Sequence, residues 1–152
     1  MQTITQKSVL TSEQQKEIAD QIAIIEKKTS AELRVGIRLE RFKKERDIPL
    51  AELALNEFHY LGMDKTGMRT GVLFFFLIAE KGYRLLLDET IFQKLDANIV
   101  QSVENKMHQC FASNDFFTPL SNSLDILGKV LSQEFPILSN DINELPNEVS
   151  IR

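Results

Sequence analysis

A chain of 152 residues with 43% hydrophobic side chains suits one domain and has enough apolar material for a packed core. Its 18 basic and 22 acidic residues leave a net charge of −4, which provides no general field to hold nucleic acid or an anionic membrane surface. Cys110 is the single cysteine and His59 and His108 the only histidines, so an internal disulfide is excluded and a structural zinc site lacks a ligand set.

MQTITQKSVL at the start has no charged leader followed by an apolar stretch, as a secretory signal would. The most apolar segment, GVLFFFLIA at 71–79, is far shorter than the roughly 20 residues of a spanning helix. The expectation is a cytoplasmic protein with no membrane span and no nucleic-acid partner.

Thr11-Ser12-Glu13-Gln14 has the pattern of a capping box, and Ile18, Ile22 and Ile25 then repeat at helical spacing. From Leu33 the period becomes two: Leu33, Val35, Ile37 and Leu39 alternate with Arg34, Gly36, Arg38 and Glu40, which predicts a strand with one covered face. Arg41, Lys43, Lys44 and Arg46 follow, interleaved with acids, and read as a solvated loop. Pro49 suits the start of a second helix with the stripe Leu50, Leu53, Ala54, Phe58, ending at Gly62.

The segment at 62–71 has the glycine spacing of a phosphate loop, but Met68-Arg69 replaces the Lys-Ser/Thr pair and the segment leads into a strand. The run 72–79 is apolar throughout, which predicts a central strand covered on both faces. Glu80-Lys81-Gly82 reads as a tight hairpin with Gly82 in the left-handed conformation, returning along 83–87. Two helices follow, one carrying Ile99, Val103, Met107, Cys110 and Phe111, the other Leu120, Leu124, Leu127 and Leu131. The domain is expected over 1–135, with 136–152 as a tail that wraps it or frays.

Two strands joined through a helix run parallel with a right-handed crossover, and the next two form an antiparallel hairpin. The prediction is an α/β fold: a small mixed sheet between helices, in three α/β/α layers. In that topology the start of the first strand, the start of the second and the end of the third share a rim. Glu32, Arg69-Thr70 and Asp88-Glu89 fall there, and Asp96 arrives at the start of a helix whose positive end tolerates an anion. Converging carboxylates need protons, basic partners or a hard cation with oxygen ligands, so Ca2+ or Mg2+ is the predicted cofactor. Ordinary roles are open to the same acids: Asp88 and Glu89 can end a strand, and Asp96 can cap a helix.

VLTSEQQKEI, KKTSAELRV, RTGVLFFFLIAEKGYRLLLDETI and MHQCFASNDFFTPL together resemble the TPM domain over about residues 8–135, and FPILSNDINELPNEV resembles the tail of a soluble bacterial branch. The family includes a thylakoid-lumen acid phosphatase. The resemblance implies a three-layer domain with an acidic cleft for calcium or magnesium. It matches Thr29-Ser30-Ala31-Glu32 to the helix-to-strand junction, Arg69-Thr70-Gly71-Val72 to the entrance of the second strand, and Asp96 to the acid opening a helix. Thr70 stands where Asn is usual, and DETIFQKLDA replaces a glycine-containing turn.

The predicted metal residues are Asp88, Glu89, Asp96 and Glu32, with Arg69 and Thr70 lining the cleft. Divalent-cation binding is the first functional expectation. The alternatives are a metal-assisted acid phosphatase-like hydrolase, with a metal-activated water as attacking group, and a protein-interaction or assembly module using the tail and Phe116-Phe117.

Overall fold

Thr11 and Gln14 make the reciprocal pair their spacing predicts: the Gln14 N–H donates to the Thr11 hydroxyl and the Thr11 N–H to the Gln14 side chain, both at 3.0 Å. This fixes the start of α1 (Ser12–Glu26). The structure, a computed structural model, describes residues 9–65, 70–137 and 147–152. After α1 come β1 (Glu32–Arg38), α2 (Leu50–Tyr60), β2 (Gly71–Leu77) and β3 (Gly82–Leu87). The helices α3 (Glu89–Lys94), α4 (Ala97–Ala112) and α5 (Phe117–Glu134) follow, and then β4 (Ser150–Ile151).

Among the described residues the strands form one sheet in the order β3-β2-β1-β4. β1 is parallel to β2, with Glu32 opposite Gly71 and Arg38 opposite Leu77, while β2 and β3 are antiparallel. The uninterrupted apolar run of β2 has its explanation in the two faces of the sheet. Val72, Phe74 and Phe76 turn with Leu33, Val35 and Ile37 into the core beneath α1, α4 and α5. Leu73, Phe75 and Leu77 turn the other way, onto Leu53, Ala54 and Phe58 of α2. Each fully buried phenylalanine of this strand contributes about 2 kcal/mol of apolar burial, and the result is the expected three-layer α/β/α arrangement.

Several details differ from the sequence reading. A 3-10 turn at Ile78–Glu80 ends β2 at Leu77, two residues before the apolar run does. Lys81, with φ 52°, takes the left-handed position expected of Gly82. Gly82 instead opens β3 at a point where a Cβ would come within 3.1 Å of the Leu50 side chain. The stretch after β3 holds a short extra helix, α3, because Asp88 accepts the Thr90 N–H and so starts a turn before α4 begins. Finally, the tail holds a short strand with no period in the sequence: Ser150 and Ile151 extend the sheet beside Gly36 and Ile37, parallel to β1.

The basic loop is also more than a solvated surface. Arg41 donates to the carbonyl oxygens of Glu45 and Ile48 and pairs with Glu80, and Glu45, between Lys44 and Arg46, is buried. Cys110 is buried as its helix stripe predicts, and burial pushes its thiol up to about 12. Phe116 and Phe117 are half-buried against the larger core, and Phe116 meets Phe76 and Phe111 edge-on.

Candidate functional site

The rim predicted from topology is assembled by backbone pairing. The Glu32 N–H donates to the Thr70 carbonyl and the Asp88 N–H to the Gly71 carbonyl, both at 3.0 Å. The start of β1, the entrance of β2 and the end of β3 are therefore adjacent. The Thr70 hydroxyl donates to the Ser30 carbonyl at 3.0 Å, tying the two strand entrances together with a side chain of the right length. Behind this, Thr29 donates its hydroxyl to the carbonyls of Leu131 and Phe135 and anchors the α1–β1 junction to the end of α5.

Each predicted acid has a definite local setting. Glu32 is the first residue of β1 and is 7% exposed. Asp88 is half-buried and caps α3, accepting the Thr90 N–H at 3.2 Å. Glu89 is the exposed first residue of α3 and accepts from the Gln93 side chain at 3.3 Å. Asp96 is exposed and caps α4, accepting the Asn98 N–H at 2.8 Å. Arg69 lies outside the described residues. Among the described residues, no three acidic, histidine or cysteine side chains gather closely enough to form a metal-ligating group. The backbone thus brings Glu32, Thr70 and Asp88 to one rim, with Glu89 and Asp96 in the helical turns that follow.

One carboxylate of consequence escaped the sequence reading. Glu26, in the last turn of α1, accepts the Leu33 N–H through Oε2 at 2.7 Å. This satisfies a strand donor that β4, pairing only higher on β1, does not reach. Burial pushes the Glu26 carboxyl up to about 8, with the Glu32 charge and the hydrogen bond that protonated Glu26 donates to Glu32 adding to the rise and the Leu33 N–H and Arg34 opposing it. Two carboxyl groups that share a hydrogen bond must hold a proton between them. The signal in the sequence is an acid at the C-terminal end of a helix, where the backbone dipole disfavours it.

Arg34 stands in the same neighbourhood. Its Nη2 donates to the Glu148 carbonyl at 3.4 Å, and its Nε has no hydrogen-bond partner among the described residues. Burial lowers its pKa, while Glu148, Glu26 and Glu32 raise it. One guanidinium thus faces three carboxyl groups at the start of β1.

Comparison with known proteins fits this architecture. The family model of the TPM domain matches residues 3–130. The solution structure of protein BA42 from the psychrophilic bacterium Bizionia argentinensis superposes with a TM-score of 0.83 at 29% identity, covering 97% of this chain and 99% of that one. The N-terminal domain of a protein from P. gingivalis superposes with a TM-score of 0.64 at 17% identity, over 86% of this chain and 81% of that one, a likeness of fold. No curated protein matches the sequence, and among the described residues no helix is long and apolar enough to cross a membrane. With the family model spanning most of its length, and the predicted helix–strand order present in the fold, the chain belongs to the TPM domain family.

Proposed function

We infer that this TPM domain binds a divalent cation, Ca2+ or Mg2+, at the rim where β1 and β2 begin and β3 ends. Glu32 and Asp88 would supply the first carboxylates, Glu89 and Asp96 further ones, and Arg69-Thr70 the wall of the cleft. The observation that carries this reading is the pair of backbone bonds, Glu32 to Thr70 and Asp88 to Gly71, which sets two acids 56 positions apart on either side of the β2 entrance, about two strand spacings from each other. The surplus of carboxyl groups around Arg34 supports it as well, because a site already holding a shared proton has negative charge to offer a cation.

With few carboxylates converging, water and backbone carbonyls would complete the shell. Magnesium commonly binds this way, keeping several waters on one or two carboxylates. Weak calcium sites are compatible with the same donors.

The test is a Ca2+ and Mg2+ titration of the isotopically labelled chain, followed through backbone amide shifts. The expected result is saturable shifts concentrated at residues 30–33, 70–71 and 87–97. Shifts that grow linearly with cation and are spread over the surface would discard the site. A saturable response would then justify assays for magnesium-dependent phosphate ester hydrolysis at the same rim.

A further inference from the structure

The other end of β1 holds a second charged cluster, independent of the cation reading. Arg38 is 1% exposed and grips Glu45 through two bonds, Nη2 to Oε1 at 2.6 Å and Nη1 to Oε2 at 3.2 Å. Glu57 of α2, also 1% exposed, lies 3.5 Å from Arg38 Nη1. The remaining demand of the Glu57 carboxylate is met by Arg152, with Nη2 at 2.6 Å and Nε at 3.2 Å. The Arg152 guanidinium also lies 3.5 Å above the Tyr60 ring and 5.4 Å from that of Phe42. A buried carboxylate flanked by two aromatic rings is an arginine pocket in chemical terms.

The segment that supplies Arg152 is held as a docked strand. Its Arg152 N–H donates to the Ile37 carbonyl and its Arg152 carbonyl accepts from the Leu39 N–H, both at 2.9 Å. Val149 and Ile151 pack on the larger core, while Ser150 and Arg152, at alternate positions, fall on the α2 side. Parallel neighbours cannot be joined by a tight turn, so no local turn sets the register of β4. The groove itself sets it, through main-chain bonds, an aliphatic contact and the arginine pocket, the combination by which sheet edges recognise extended peptides.

We propose that the β1 edge with the Glu57–Tyr60–Phe42 pocket is a strand-receiving site selective for an aliphatic residue followed by arginine, and that residues 147–152 of a second copy fill it when the chain's own segment is released. A second copy carries the same alternation and the same arginine to the same carboxylate, so every contact made within one chain is available between two.

The test mixes two full-length variants. In the acceptor, Ile151→Asp with Arg152→Ala frees the groove and leaves Glu57 in place; release is read as fast hydrogen exchange of the Leu39 amide. In the donor, Glu57→Gln removes the pocket's charge and leaves Arg152 intact. Light scattering after size exclusion should give monomers for each variant alone and a one-to-one heterodimer for the mixture at high micromolar concentration. A mixture that stays monomeric, or a Leu39 amide that remains protected in the acceptor, overturns the proposal. If the donor fails to fold, a labelled peptide with the sequence of residues 147–152 replaces it. Saturable binding to the acceptor, weakened roughly tenfold or more when the peptide's arginine becomes alanine, supports the site. No binding, or equal binding of both peptides, overturns it.

Discussion

β1 begins with Glu32 and ends with Arg38, and its two ends solve opposite electrostatic problems. At the Arg38 end, two guanidiniums meet two buried carboxylates, and the short bonds among Arg38, Glu45, Glu57 and Arg152 leave charge in balance. At the Glu32 end, Arg34 is the one guanidinium among the described residues that faces Glu26, Glu32 and Glu148, and burial with the neighbouring Glu32 charge raises the Glu26 carboxyl to about 8. A balanced buried network belongs to the architecture. An unbalanced one is sensitive to whatever positive species the solvent offers, be it a proton or a cation.

The balanced end is the easier to break. Arg38→Ala would leave the Glu45 and Glu57 carboxylates buried with only Arg152 and the Phe42 N–H as compensation. The expected loss is about 3–5 kcal/mol of folding stability, as for other buried pairs stripped of one partner. Urea denaturation at neutral pH measures it. A loss under about 1 kcal/mol would mean that the cluster relaxes to admit water, and the contrast between the two ends would lose its basis.

The unbalanced end should respond to pH. The folded Glu26 carboxyl titrates near 8 against an ordinary value of 4.5, so the unfolded chain releases this proton first. Its contribution to stability is complete below about pH 4.5, declines as pH rises towards 8 and is gone above it. Glu26→Gln keeps an acceptor for the Leu33 N–H and a donor for Glu32 without needing a proton. The variant should match the parent at pH 4 and exceed it at pH 9 by on the order of 1–2 kcal/mol, once solvent screening at a half-buried site is allowed for. Parallel stability curves for the two proteins across that range would show that the pair does not share a proton.

The same contrast explains what could be read from the chain beforehand. The capping box at Thr11, the alternation from Leu33 and the apolar run of β2 are local patterns, and they were enough for the layers and for the shared rim. The Arg152–Glu57 pocket joins residues 95 positions apart, through a two-residue strand too short to show a period. Lys81 took the place expected of Gly82 because it closes the 3-10 turn at Ile78–Glu80, while Gly82 stands against the Leu50 side chain, a packing constraint invisible in the turn residues. Glu26 was hidden for a similar reason: its acceptor role depends on a stretch of β1 that no described strand pairs on this side, and hence on where β4 begins.

The smallest expected effect on stability belongs to the substitution that best separates capping from cation binding. Asp88 caps α3 through one oxygen, and Asn is as good an N-cap as Asp, so Asp88→Asn should change folding by no more than a few tenths of a kcal/mol. What it removes is the negative charge, which a hard cation requires and a backbone N–H does not. If Asp88 belongs to a cation site, the variant should keep the urea midpoint of the parent while its saturable amide shifts at 87–97 move to higher Ca2+ or Mg2+ concentration. An unchanged titration would leave Asp88 as a cap alone and shift attention to the Glu26–Glu32 pair, where Glu26→Gln tests whether cation and proton compete for the same carboxylates.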